Sequence, residues 1–482
     1  MKISTSLFFL VVFIQATAYG MAPQVVTKTP SSGSSLVLTN EQFVVAFDAN
    51  IAIGANAQAT FRDLDNAIDR VYDASNITMA LQVSGNLAIF NPAAVGGPLT
   101  PLTNYEITYN GGTFQDFGAV SNVTAMLSTE WTFMTGERST RDKVMAGGHS
   151  HGYWLDGSSL NGAGRNDLGQ LGFMGGGSSF PVNISGSYLS VASGQDFGLG
   201  IQTDGTLWSW GYNHDGQLGQ NNNANAYFPT QIGFDSDWAV VAAGGRSAMA
   251  IKQDGTLFAW GENAHGQLGL GDQGDKIVPE EVAGGNVWRE VAVGFNHTLA
   301  IKNDGSLWSW GENGFGQLGL GLPTNSLKLA PFQISAGPWR SVTAGAFHSF
   351  AIDETGQLHG WGRNHDGQLG VSNPALGTTP IAIEPGKLFG QVDAGVDHSL
   401  FLDLNGKVFG AGKNRFGQVG GNGLGLNPVE PGRTFRSIGT GAYQSYGMDT
   451  FGNLFVWGKN ISGELGISGQ KVVDQPMMQT LP

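Results

Sequence analysis

The stretch Val291–Gly319, VAVGFNHTLAIKNDGSLWSWGENGFGQLG, decides the fold because it recurs seven times along the chain. Each copy opens on a Gly: Gly147, Gly194, Gly244, Gly294, Gly345, Gly395 and Gly441. Counted from these, a second Gly follows 17 residues on, from Gly164 and Gly211 through to Gly412 and Gly458. An Asn stands two places further, as in Asn213 and Asn313, and the copy closes on a motif such as Gly316-Gln317-Leu318-Gly319. Repetition at a fixed period of roughly 50 residues marks a fold built from identical supersecondary units.

One unit reads as β-structure. Three residues before the opening Gly stands a β-branched residue, from Val144 and Val191 to Val392 and Ile438. Two apolar runs follow, such as Thr298–Ile301 and Leu307–Trp310, with Asp204-Gly205, Asp254-Gly255 or Asp304-Gly305 between them in three copies. Asp-Gly predicts a two-residue hairpin turn with positive φ at both central residues. A Pro (Pro181, Pro229, Pro279, Pro331, Pro380, Pro428, Pro476) is read as opening a fourth strand, at its first residue or on an edge where the missing N–H is not needed. Four short strands per unit cannot bury both faces of one sheet, but radial repetition can. The expected fold is all-β: a seven-bladed β-propeller over 138–482. Its C-terminal segment is expected either to pair beside the first copy or to complete the last blade against it.

The motif Gly-x-Asn-x-x-Gly-Gln-Leu-Gly, preceded by Asp-Gly-x-Leu-Trp-x-Trp-Gly and by His-[Ser/Thr]-Leu-Ala-Ile, resembles the regulator of chromosome condensation repeat. The resemblance covers Lys143 to the C-terminus. It implies the propeller fold and a family whose members include nucleotide exchange factors, photoreceptors and secreted protein binders.

Met1–Gly20 has one Lys, an apolar core over Leu7–Ile14 and small residues at Ala16, Ala18 and Gly20. This reads as a secretory signal peptide, cleaved after Ala18 or Gly20. The apolar run is shorter than the ~20 residues that span a bilayer. The chain contains no Cys, which excludes a disulfide framework and a thiol-linked lipid anchor. Residues 22–137 lack the repeat. Short alternating stretches at Gln42–Phe47, Ala59–Asp63, Leu87–Phe90, Tyr105–Tyr109 and Trp131–Met134, separated by turn residues, predict a small Ig-like β-sandwich. Thr29-Pro30, Val-Ala-Phe-Asp at 45–48, Leu-Thr-Pro-Leu-Thr-Asn-Tyr at 99–105 and Trp-Thr-Phe-Met-Thr-Gly at 131–136 resemble the bacterial Ig-like domain of surface-layer proteins. That likeness implies a spacer or attachment module. The segment carrying Asp63, Asp65, Asp69 and Asp73 reads as an irregular insert with helical character.

No enzyme constellation emerges. Gly148-His149-Ser150-His151-Gly152 matches a nucleophile elbow, but that motif needs a strand–turn–helix in an α/β sheet. By count Ser150 shares the register of His297, His348 and His398, which lie in different blades and so cannot converge on a metal. These His are expected to make structural hydrogen bonds, and Trp210, Trp260, Trp310, Trp361 and Trp457 to pack between blades. No catalytic residue, metal site or cofactor is expected.

A binding surface is the stronger expectation. The variable positions of Gly-x-Asn-x-x-Gly differ in every copy while their frame stays fixed. They include Arg165, Tyr212, His214, Glu262, His265, Glu312, Phe315, Arg363, His365, Lys413, Arg415, Phe416, Lys459 and Ile461. Equivalent loops in a ring share one face, and Arg and aromatic residues are what binding hot spots favour. A net charge of −14 disfavours nucleic acid and anionic membranes as partners. The sequence therefore predicts a secreted, monomeric, non-enzymatic binding protein for a protein or glycan partner, with no membrane insertion. The alternative is a guanine-nucleotide exchange factor for a small GTPase, as in intracellular members of the repeat family.

Overall fold

The computed structural model describes residues 145–282, 287–371, 377–421 and 425–479, and before them only the backbone of the strands. The chain divides into two compact units, Met1–Ser139 and Thr140–Pro482. Each is described by itself.

In the first unit Leu10–Gln15, Val26–Lys28, Gln42–Ala46, Leu81–Ser84 and Leu87–Phe90 form one antiparallel sheet. Ala59–Asp63, Ile68–Tyr72, Asn104–Tyr109 and Trp131–Met134 form another. All five stretches picked from alternation are strands. Within the insert, Ile68–Tyr72 is a strand, not a helix, and pairs antiparallel with Ala59–Asp63, Asp63 opposite Ile68. Leu10–Gln15, which overlaps the apolar Leu7–Ile14 read as the core of an export signal, pairs with Gln42–Ala46.

The second unit is a seven-bladed propeller. Blade 4 is typical: Trp288–Val293, His297–Lys302, Leu307–Gly311 and Lys328–Ser335 pair antiparallel from the axis outward. Alternation aims its second strand at two neighbours. Leu299 and Ile301 pack with Val342, Ala351 and Trp361 of blade 5, while Ala300 joins Met249, Ile251 and Leu257 of blade 3. The core therefore lies between blades, which is why isolated units cannot be stable. Blades 1 and 2 share one long strand, Ser178–Ser193, whose first part pairs with Ser159–Gly164 and whose second part pairs with Phe197–Gln202. The ring closes by packing: Met145, Trp154 and Ala163 of blade 1 enter one cluster with Ile438, Tyr446 and Trp457 of blade 7. Val472–Met478 pairs with Leu454–Lys459 of its own blade, so the C-terminal segment completes the last blade and does not join the first.

Three local expectations are corrected. The Asp-Gly turns are three-residue loops: Gly205 N–H bonds Gln202 O and Gln202 N–H bonds Thr206 O. Only Gly205 has positive φ, because the Asp204 carboxylate accepts the Thr206 N–H and holds the Asp in an ordinary turn conformation. The Pro residues lie inside the outer strand and do not begin it, as Pro229 does in Ala226–Gln231. There the ladder skips from Ser209↔Thr230 to Gly211↔Ala226, a bulge that leaves the Pro without a required N–H. Finally, the first copy opens on Gly148, not Gly147. His151 pairs with Gly164 as His297 pairs with Gly311, and a two-residue Gly157-Ser158 turn shortens this hairpin. His151, not Ser150, is the counterpart of His297, and Met145 takes the place assigned to Val144.

Candidate functional site

The repeated residues hold the loops in place. The frame Asn263 lies buried and accepts the Leu268 N–H through Oδ1 at 3.0 Å, while Nδ2 donates to Asp272 O and Gly274 O. All seven frame Asn accept in this way, as Asn166 does from Leu171 and Asn460 from Leu465. The Gln of the closing motif stiffens the tip, since Gln267 Oε1 accepts the His265 N–H at 2.9 Å. Its backbone carbonyl accepts the indole N–H of Trp310 from the next blade at 2.9 Å. Trp210, Trp260, Trp361 and Trp457 repeat that bond to Gln170, Gln217, Gln317 and Gln418.

The His register also links blades. Nε2 of His151, His297, His348 and His398 lies 2.9–3.1 Å from the hydroxyls of Ser193, Ser349, Ser399 and Ser445. Burial pushes all four rings below the usual His range, His297 and His348 to about 3 and His151 and His398 to about 4. They are neutral structural groups.

The variable loops do not stand alone. A second set of residues, just before the His register, meets them: Asp196, Arg246, Phe347, Asp397 and Tyr443. Each touches the loop of the preceding blade. Arg246 bonds Asp215 at 3.2 Å, Arg363 bonds Asp397 at 2.5 Å, and Arg165 lies 4.0 Å from Asp196. Phe315 lies 5.1 Å from Phe347, and Phe416 lies 5.7 Å from Tyr443. Beneath them backbone bonds run from blade to blade, such as His149 N–H to Gln195 O, Ala346 N–H to Gly395 O and Ala442 N–H to Gly148 O. The signal for this inner set was present in the sequence, because its position changes in every copy.

The predicted residues differ in what they offer. Asp167, His214, His365, Arg415 and Ile461 are exposed, as is Arg165 despite its pairing with Asp167. Tyr212 stacks on His214 and lies under Arg246. Phe315, flanked by Phe347 and with the Arg363 guanidinium 5.9 Å above it, forms an aromatic sector with Phe295 at blades 4 and 5. Phe416 lies under Arg415, and Lys413 reaches Asp397 at 3.6 Å. Glu312 is held by Asn296 at 2.9 Å, and desolvation raises the Glu262 carboxyl. His265 is half-buried. Lys459 is turned inward: it is buried, pairs with the buried Glu464 at 3.3 Å and donates to Ser150 Oγ at 3.1 Å. That geometry leaves the nucleophile elbow without a base, because Lys459 Nζ donates to the Ser150 hydroxyl, where a base would have to accept from it. Among the described residues no three His, Cys, Asp or Glu side chains converge as a metal site. No helix there is long and apolar enough to cross a membrane.

Fold and face together define the class: a propeller whose blades carry variable loops on a repeated frame. Residues 189–418 are covered by models of the regulator of chromosome condensation (RCC1) repeat, with matches at 204–251, 254–301, 304–352 and 355–402 and overlapping ones from 189 to 418. These segments match that repeat, and residues 20–135 match the bacterial Ig-like domain. No curated protein matches the sequence. Among solved structures, Prp20p from Saccharomyces cerevisiae, described with its binding to Gsp1p and histones, is 21% identical with a TM-score of 0.61, over 68% of this chain and 87% of its own. The yeast RCC1 (Prp20) bound to Kap60 gives 21% and 0.60, over 66% and 82%. Human WBSCR16 gives 21% and 0.59, over 66% and 93%. These likenesses establish the propeller fold.

Proposed function

We propose that this chain is an exported, non-enzymatic binding protein whose propeller face recognises a protein, with the Ig-like segment as spacer or attachment module. The observation that carries this reading is the interlock of the two variable sets. Five junctions pair residues from two blades, so neighbouring loops support one another as one pre-formed surface. Preorganised Arg and aromatic side chains such as Arg363, Phe315 and Phe347 lose little freedom on binding. The net charge of −14 supports a protein partner over nucleic acid. The Ig-like match begins at residue 20, where the export signal is read to end, which supports export.

Because the chain has no Cys, one introduced Cys labels it at one place. A photocrosslinker on His365→Cys or Arg415→Cys should capture the same protein from the native secretion environment. On Phe451→Cys, in a hairpin turn at the opposite end of the blade, it should capture none. Equal capture from all three positions would defeat the reading. Release of bound nucleotide from a small GTPase would favour the exchange-factor alternative.

A further inference from the structure

At the outer rim, between blades 2 and 3, the structure has a cavity of about 500 Å³. It lies among the Gly219–Asn222 loop, the end of the blade 2 outer strand from Thr230 to Ile232, and Trp238, Phe258 and Pro279 of blade 3. It is a second site, independent of the loop face. We infer that it binds a neutral saccharide.

The cavity comes from two departures in the repeat. After the closing motif, four other copies place an apolar residue that packs against an inter-blade core, Phe173, Leu270, Val371 and Ile467, while blade 6 has Gly421. Blade 2 has Gln220 there. Its amide folds back to donate to Ser209 Oγ at 2.9 Å and leaves the junction unfilled. The next position is Gly271 or Gly321 in blades 3 and 4, at positive φ, with its N–H bonded to the following blade. Blade 2 keeps that backbone, Asn221 having φ 57 and its N–H bonded to Ile277 O, yet carries a side chain where Gly would be the unstrained choice. Both changes introduce an amide side chain.

The lining suits a sugar. Asn221 and Gln231 make no side-chain hydrogen bond among the described residues, so planar amides remain to meet vicinal hydroxyls. Ile232, Val278 and Pro279 supply an apolar side for the C–H face of a pyranose, while the Lys252 ammonium lies over the rings of Trp238 at 5.3 Å and Phe258 at 5.6 Å. The one carboxylate in the lining, Asp235, pairs at 2.9 Å with the Lys252 ammonium, which Asp237 shares at 3.2 Å. The volume falls within the ~300–1,000 Å³ of small-molecule sites and accommodates one or two sugar units.

The test is saturation-transfer NMR of the full chain with methyl glucosides and galactosides, N-acetylglucosamine, lactose and longer oligosaccharides, with acetate and phosphate as ionic controls. At least one neutral sugar should bind saturably. Gln220→Leu and Asn221→Gly, which restore the residues of blade 3, should each weaken binding at least tenfold with unchanged thermal melting. The separate melting readout shows that both variants fold. If oligosaccharides bind and free monosaccharides do not, the source is a glycan chain; the reverse assigns free sugar. The proposal is overturned if no sugar saturates, if both variants bind like the parent, or if only the ions show binding that the variants abolish. Phe315→Ala with Arg363→Ala should leave sugar binding unchanged, which separates this site from the protein-binding face.

Discussion

Trp310 of blade 4 donates its indole N–H to the backbone carbonyl of Gln267 in blade 3, 2.9 Å away, with both residues fully buried. The bond joins the closing motif of one copy to the Trp of the next, so each unit is incomplete without its neighbour. Trp310→Phe keeps most of the bulk and removes the donor, and should lower stability by about 1–2 kcal/mol. Trp310→Ala also opens a cavity and should cost about 3–5 kcal/mol. Urea unfolding measures both; a Trp310→Phe variant of parent stability would mean that the hydrogen bond contributes nothing of its own.

Asn263 makes a sharper case, because both ends of its amide are used. Asn263→Asp preserves the acceptor for Leu268 but turns a second oxygen toward the carbonyls of Asp272 and Gly274. It should therefore be at least as damaging as Asn263→Ala, at about 2 kcal/mol or more. An Asp variant of parent stability would show that the donor side is idle.

The four buried His predict an acid-sensitive ring. Their rings titrate near 3–4 in the fold against 6.5 for the free side chain. Below pH 6.5 the unfolded chain takes up protons that the fold refuses, so stability falls with pH and the loss ends only once the rings protonate in the fold near pH 3–4. The limiting slope is about 1.4 kcal/mol per His per pH unit. Melting temperature should drop steadily from pH 7 to 4.5. His297→Gln, the residue that blade 7 carries as Gln444, should flatten the drop, and a profile that is level from pH 7 to 5 would contradict this account.

Ring closure by packing predicts the effect of truncation. Deleting residues 472–482 removes the outer strand of blade 7, buried Val473 and the bond from Gln479 Nε2 to Leu465 O. It also bares the Leu454–Lys459 edge. Because blade 7 packs on both blade 6 and blade 1, the midpoint of urea unfolding should fall for the whole propeller. A separate early transition confined to a small part of the signal would show that blade 7 is independent.

Much of this was legible because a repeat exposes its constraints. The repeated Trp pointed to blade packing before any coordinates, whereas the fixed Asn was only a spacing until its bond to the Leu268 N–H showed it to be the loop staple. Register at the first copy was not legible: Gly147 and Gly148 are adjacent, and only the pairing of His151 with Gly164 shows which opens the blade. The inner set on the loop face was also missed, since Asp397 and Arg363 are 34 residues apart and meet only because one blade follows another. Lys459 looked like its exposed counterparts until Glu464, which replaces the usual Gln, drew it inward.

The sequence by itself determined the number of blades, the strands within them and which positions were free to vary, because spacing and alternation follow from chain geometry alone. The tertiary structure decided which side chains share a junction, which variable residue is buried, and where Gln220 leaves a cavity. Those are properties of the space between blades, and no single copy of the repeat contains that space.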